Sequence, residues 1–330
     1  MDASLTRSTL DERAGHFLLD LYRHSQQLPA DTFCGWTFDR LQEVIPFDSA
    51  MWGHGTGKPV AIHDVHVIGQ PPEMMLNYGR LKRRDFLAAA VQANPGKTID
   101  IYDLISRADF ERHVIYREHA RHYGMEHLLC TQVPEPLSGL TSFISLWRAD
   151  YDQPYSVTER ALKQLLMPHL VEARRMNIFT AMRQRADGWV PRLSAVCDRL
   201  GVLHEAEDMF VSMVREAWPD WKGPRLPSTL CSALRRHESG AAADRGLHFS
   251  WAPAEGRVML FVRPRSRVDG LSRRERQVAD LLVAGHTHRK IAEQLGLGPN
   301  TIRSHIAALY RKLEIHRRAE LSALLLQAQG

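Results

Sequence analysis

The chain has 330 residues, 44% of them hydrophobic and 25% charged, with a formal net charge of +5. That length predicts two or three domains of ordinary globular composition. No apolar run reaches the roughly 18 residues a membrane helix needs, and the opening MDASLTRSTLDERAGHF lacks the basic start and apolar core of a secretory signal, so the cytoplasm is the expected compartment and no membrane partner is expected.

In chain order, residues 10 to 46 read as mostly helical, with Phe17, Leu18, Leu21 and Tyr22 on one stripe and Pro46 as the stop. SAMWGHG and PVAIHDVHVIG follow as strands. PPEMMLNYGRLKRRDFLAAAVQAN reads as one helical stretch closed by Pro95 and Gly96, and ERHVIYREHARHYG as another helix. LLCTQVPEPLSGLTSFISLWRAD reads as a strand hairpin turning between Pro134 and Gly139. Ser156 and Glu159 form a capping box that opens a long helix over 157–186 containing Pro168. From about 190 the order is strand, turn at Gly201, strand, helix, and later two strands joined at Ala254-Glu255-Gly256. PRSRVDG reads as a polar linker.

Charge is unevenly placed. Between Ser266 and Gly330 stand 11 Lys and Arg against 6 Asp and Glu, while the first 265 residues hold 32 of each sign. All the excess positive charge therefore lies at the C-terminal end, the footprint of a small module that meets a polyanion. Four cysteines, Cys34, Cys130, Cys197 and Cys231, form no CxxC pair and read as small buried hydrophobes.

No GxSxG elbow, GxxxxGK[ST] loop or GxGxxG turn is present, so no enzyme and no catalytic residue is expected. The opening helices do not suit a phospho-accepting receiver domain. His63, Asp64 and His66 lie on a strand, where positions three apart point to opposite faces, so they are not expected to share a metal. Glu118, His119 and His122 read as a surface helix face. No metal and no cofactor is predicted. Trp36, Phe47, Trp52, Tyr78, Phe86, Tyr116, Phe143 and Trp147 supply material for an apolar pocket in the first part of the chain.

The last 65 residues carry the sharpest signal. Ser272 and Glu275 cap a helix that turns Val278, Leu281 and Leu282 inward and ends at Gly285. Thr287 caps a second, with Ile291, Ala292 and Leu295 inward, ending at Gly296. Gly298 and Pro299 start a third, which buries Ile302, Ile306, Leu309 and Leu313, and a fourth buries Leu321, Leu324 and Leu325. Two helices joined by the Gly296–Pro299 turn make a helix-turn-helix. The segments LSRRERQV, AGHTHRKIAEQLGL, NTIRSHIAALYRKL and RRAEL resemble the LuxR/NarL-type (GerE-like) DNA-binding domain. The resemblance implies that Arg303, Ser304 and Ala307 face bases, and that Thr301, Arg289, Lys290, Arg311 and Lys312 meet the DNA backbone. It also implies that the fourth helix supports dimerisation. Ala307 is too short to hydrogen-bond and can at most meet a thymine methyl. Gly298 stands where that family often has a capping Ser.

Upstream, the layout of about 36–175 resembles GAF-like or autoinducer-binding-like sensor domains, and 190–265 a PAS-type fold. The expected organisation is a GAF-like domain over 1–155, a connecting helix over 156–186, a PAS-like domain over 187–265 and the helix-turn-helix domain over 266–330. The fold class is then multidomain α+β, sensor domains followed by an all-α four-helix domain. Trp52, Tyr78, Asp85, Phe86 and Trp147 are the candidate ligand-binding residues. Acyl-homoserine-lactone receptors use a Trp, Tyr and Asp set. Tyr78 and Asp85 resemble the last two, but Met74 stands where the Trp would be and the Tyr–Asp spacing is short, so a different small molecule is expected. The expected function is a one-component transcription regulator that binds a pseudo-palindromic double-stranded site as a homodimer, with RNA polymerase as a further partner. The alternative is a regulator whose N-terminal domains bind a protein and not a small ligand.

Overall fold

The computed structural model describes residues 3–57, 60–135, 138–185, 193–254 and 256–329. The expected boundary at 186/187 and the turn residue Glu255 lie outside them. In chain order the elements are α1 (Ala3–Ser25), α2 (Ala30–Gln42), β1 (Ser49–Thr56), β2 (Ala61–Ile68), α3 (Glu73–Leu81), α4 (Phe86–Ala93), β3 (Thr98–Asp100), α5 (Arg107–Arg112), α6 (Val114–Glu118), β4 (His127–Pro134), β5 (Leu140–Arg148) and α7 (Val157–Arg185). There follow β6 (Leu193–Cys197), β7 (Leu203–Ala206), α8 (Asp208–Ala217), α9 (Ser228–Arg236), β8 (Gly240–Asp244), β9 (Leu247–Ala254), β10 (Arg257–Pro264), α10 (Arg273–Val283), α11 (His288–Leu295), α12 (Pro299–Leu313) and α13 (Arg318–Gln329). The chain divides into two compact units: 1–186 with 202–206 and 222–226, and 187–201 with 207–221 and 227–330.

The first unit is built on an antiparallel sheet in the order β2-β1-β5-β4-β3. Every residue of β1 and β5 is buried, so both faces of the sheet centre are covered. Strand alternation divides the side chains between two cores. One face carries Trp52, Ile144, Leu129 and Leu146 against Phe33, Phe38 and Leu41 of α2 and Leu166 and Leu170 of α7. The other carries Met51, Phe143, Cys130 and Trp147 against Met74, Leu81, Leu87 and Val91 of α3 and α4. Gly53 sits opposite Phe143 across the β1–β5 ladder. A Cβ on Gly53 would come within 2.2 Å of the Phe143 ring, so the bare backbone makes the room that ring occupies.

The helix expected over 71–94 is broken. Asp85 leaves helical geometry and its side chain accepts the Ala88 N–H, which caps α4 and separates it from α3 by a three-residue 3-10 turn, Lys82–Arg84. The connecting helix is corrected more deeply: α7 is part of the first unit's core, not a spacer beyond it. Lys163 is buried on it, donating to Thr131 Oγ1 at 2.6 Å and to the Ile144 carbonyl at 2.9 Å. Burial lowers its amine to a pKa of about 7. Arg174 is held by Asp64 at 2.7 Å and Glu205 at 3.2 Å, and Asn177 donates to the Ser25 and Leu28 carbonyls.

In the second unit β6, β10, β9 and β8 are antiparallel neighbours in that order. Counting β6 to β10 in chain order, this is the succession first, fifth, fourth, third, which β1, β5, β4 and β3 also follow among β1 to β5. The expected linker PRSRVDG is likewise a built joint. Residues Arg267–Gly270 form a 3-10 turn capped by Ser266 and Asp269, and Val268 is buried in the helical core that follows. Arg263 at the end of β10 and Asp269 form a buried ion pair. The last four helices, α10 to α13, form an all-α domain around Val278, Ile291, Ile302, Leu309 and Leu321.

Candidate nucleic-acid interface and ligand cavity

The helical domain is fixed by its caps. Ser272 and Glu275 form the expected capping box on α10, and Thr287 Oγ1 accepts the Lys290 N–H on α11. Gly296 closes α11 at φ +63°, ψ +38°, a left-handed conformation that glycine adopts without a Cβ penalty. Pro299 opens α12 behind Gly298, whose backbone takes the cap position with no side-chain bond. The C-termini of three helices receive arginines: Arg274 on the Leu295 carbonyl, Arg267 on Leu313 and Arg318 on Val283. These bonds satisfy carbonyls that a helix end leaves open.

Core packing claims one side of α12, where Ile302, Ile306, Leu309 and Leu313 are buried. Thr301, Arg303, Ser304 and Ala307 are exposed on the remaining surface. Ser304 Oγ donates to the Asn300 carbonyl at 3.2 Å. Arg289 and Lys290 are exposed at the start of α11, and Arg311 near the end of α12. Among the described residues no hydrogen bond or ion pair engages the side chains of Arg289, Lys290, Arg303 or Arg311. Lys312 differs: its amine lies 2.8 Å from Glu275 and ties the end of α12 to the start of α10. That bond and the Ser272 backbone N–H lower the Glu275 carboxyl to a pKa of about 2. Leu281, Leu295 and Leu324, expected inside, are half-buried at the edge of the core.

The first unit contains a cavity of about 690 Å³ between the sheet and α3 and α4. Met51, Leu128, Phe143 and Trp147 line it from the sheet, and Met74, Met75, Leu87 and Val91 from the helices. Of the five expected ligand residues, Tyr78, Asp85 and Trp147 line it. Trp52 and Phe86 do not. Trp52 points to the opposite face of β1, where it packs against Phe38 and its ring lies 5.7 Å from the Arg174 guanidinium. Phe86 turns to Phe110 and His113, leaving Leu87 as the first α4 residue on the cavity wall.

The polar groups of this wall are linked. The Tyr78 hydroxyl donates to Asp85 Oδ2 at 2.8 Å. Asp85 Oδ1 accepts the Ala88 N–H at 2.9 Å. Burial raises the pKa of both Asp85 and Tyr78. His119, expected on a surface face with Glu118 and His122, is 5% exposed and lines the cavity. The helix ends at Glu118, so the 3.6-residue periodicity that would place those three side by side does not apply. His119 Nδ1 lies 2.8 Å from Asn77 Oδ1, and burial lowers the ring's pKa to about 4. His63 hydrogen-bonds Thr56, and His66 packs on Phe38 from the other side of β2. Among the described residues no helix is long and apolar enough to cross a membrane.

Residues 269–325 match the family model described as GerE, bacterial regulatory proteins of the luxR family. A protein of Aeromonas salmonicida described as an HTH-type transcriptional regulator is 50% identical over 58 residues, which are 18% of this chain and 30% of that protein. The transcriptional regulatory protein UhpA of Escherichia coli K12 is 45% identical over 56 residues, 17% of this chain and 29% of its own length. The chain thus spans about a third or less of the curated relatives it matches. Among solved structures, the VqsR LBD domain from Pseudomonas aeruginosa aligns with 50% of this chain and 96% of its own at 19% identity, with a TM-score of 0.39.

Proposed function

Residues 269–325 are a LuxR-family helix-turn-helix domain, and from that premise we propose that the whole chain is a transcription regulator whose DNA binding answers to a small molecule held in the first unit. The observation that carries this is the division of α12 into a buried apolar side and an exposed side bearing Arg303 and Arg311. A helix so held on a tight turn can enter the major groove with its front residues at base edges. Arg303 and Ser304 are then the base-reading pair, Ala307 meets at most a methyl group, and Thr301, Arg289, Lys290 and Arg311 hold the backbone. Lys312 is the weakest backbone contact, because it must leave Glu275 to reach a phosphate.

Regulators of this shape act as homodimers on twofold sites, since a twofold protein matches a twofold operator. The expected dimer contact is α13, whose Leu326 is 66% exposed. RNA polymerase is the expected downstream partner. The cavity favours a small effector over a protein partner in the first unit, because its apolar wall, Met51, Met74, Leu87, Val91 and Phe143, is concave and buried, whereas a protein-binding face needs exposed apolar area. The regions 1–155 and 187–265 are proposed as sensor domains, with α7 carrying the signal onward. Because α7 is buried in the first core, a change in that core acts on the helix directly.

Native mass spectrometry of the full-length chain, alone and with a selected duplex, tests this reading. The expected result is a dimer that binds one duplex and carries a small mass released on denaturation. A monomer that binds no duplex would overturn it.

A further inference from the structure

Lys163 of α7 is 1% exposed, in the core that also buries Leu162, Leu166 and Ile144. Its amine donates to Thr131 Oγ1 of β4 at 2.6 Å and to the Ile144 carbonyl of β5 at 2.9 Å. Thr131 Oγ1 lies 2.6 Å from Thr98 Oγ1 of β3, and Gln164, next to Lys163, accepts the Thr98 N–H at 3.1 Å. A neutral amine has two N–H groups, and these two acceptors use both. An ammonium has three, and among the described residues no acceptor takes the third. It also brings a full charge into an apolar core with no carboxylate against it. The charged and titratable groups on the neighbouring elements are committed elsewhere. On α7 itself Glu159 binds Arg148 and Arg160 binds Asp103. On β3 Asp100 accepts the Tyr102 N–H, and on β4 His127 bonds the Tyr151 carbonyl. Tyr22 on α1 bonds His169, and Cys34 on α2 accepts from Arg174. Burial takes the Lys163 amine from its ordinary 10.5 down to about 7, and Cys130, beside Thr131 on β4, opposes that shift.

We propose that the contact of α7 with the sheet is a proton-sensitive seam, which loosens when Lys163 takes up a proton. The charged amine favours states in which it meets water, and at 1% exposure it meets water only if α7 lifts from β3, β4 and β5. The folded amine binds its proton less tightly than the unfolded one, so the penalty on the closed seam is full below about pH 7 and gone above about 10.5. The seam therefore tightens as pH rises through 7. Cys130 and Gln132, on either side of Thr131 in β4, line the cavity on the opposite face of the sheet, so the proton and the contents of the cavity act on one strand. The seam itself requires no effector.

The test uses the full-length chain. Lys163, followed by NMR at its ε-carbon, is expected to titrate near pH 7, and a midpoint at the ordinary 10.5 would overturn the seam. That titration requires no substitution, so it decides the case even if a variant fails to fold. Amide exchange across α7, corrected for its intrinsic pH dependence, reads the opening of the helix. In the natural chain opening should be roughly tenfold rarer at about pH 8 than at about pH 6, the effect of one proton taken up more readily by the open state. Lys163→Met keeps every histidine and should lose most of that difference. Equal pH dependence in the natural chain and the variant would overturn the seam. Where α7 carries the signal, as proposed above, duplex affinity should follow pH over the same range in the natural chain more than in Lys163→Met. This last step alone rests on that reading: a flat affinity beside an α7 that still loosens would strike the route through α7 and leave the seam.

Discussion

Gly53 holds space for Phe143, and its replacement tests how tightly the cavity wall is set. Gly53→Ala places a Cβ within 2.2 Å of the ring, so Phe143 must swing into the cavity it lines. Overpacking of this kind costs about 1–3 kcal/mol. Thermal or urea unfolding should show that loss, and binding of the proposed effector should weaken with it; unchanged stability would mean that the ring moves freely. On α12, Arg303→Ala should cost ~1–3 kcal/mol at the cognate site and relax preference at one base pair. Arg311→Ala should weaken all duplexes alike. Competition binding across single-base variants separates the two. If Arg303→Ala weakens random and cognate DNA equally, Arg303 belongs with the phosphate contacts. The α12 face was legible in the sequence because exposure there follows a 3.6-residue period set by Ile302, Ile306, Leu309 and Leu313. The cavity wall was not. In β1 all eight residues are buried, so no polar alternation tells Met51 from Trp52, and only the register against β5 does. Phe86 and Leu87 change places on the wall because Asp85 restarts the helix, and His119 moves inside because a helix stops at Glu118.

Among elements, the capping boxes were readable and the joints were not. Ser272-x-x-Glu275 announced α10, yet nothing local said that Glu275 also receives Lys312 from 37 residues away. That pair sets a pH dependence. The Glu275 carboxyl falls from its ordinary 4.5 to about 2 in the folded domain. Its stabilisation is therefore full above about pH 4.5 and is lost as pH falls toward 2. Lys312→Met should make the α10–α12 contact less sensitive to acid over that window, as read by amide exchange in the two helices. An unchanged acid profile would assign the low carboxyl to Ser272 alone. The segment PRSRVDG looked like a linker because it is polar, but Arg263 and Asp269 turn it into a buried ion pair, 9% and 5% exposed. Asp269→Asn leaves Arg263 without its counter-charge and should cost about 3–5 kcal/mol. Denaturant unfolding checks this; a loss under about 1 kcal/mol would mean that the arginine finds water, as surface pairs do.

Across the whole molecule, a neutral 265-residue stretch precedes a domain with all the excess positive charge. Composition alone made that division visible, and the family match over 269–325 falls inside it. The antiparallel sheets of the two units share a strand succession with no sequence repeat behind it, because long-range pairing leaves no local mark. Only part of the domain's charge is available to DNA. Arg267, Arg274 and Arg318 close helix ends and Lys312 holds Glu275, whereas Arg289, Lys290, Arg303 and Arg311 are exposed. Salt dependence should report the backbone contacts: removing Arg289, Lys290 or Arg311 should lower the slope of log K against log salt by about 1, and Arg274→Ala should act through stability instead. Selection of duplexes from a random pool by the full-length protein tests most directly whether the chain reads a twofold DNA sequence through α12. Enrichment of one inverted repeat is expected, with the enrichment at one base pair of each half lost in Arg303→Ala. Recovery of a random pool, or an enriched site indifferent to Arg303, would contradict it.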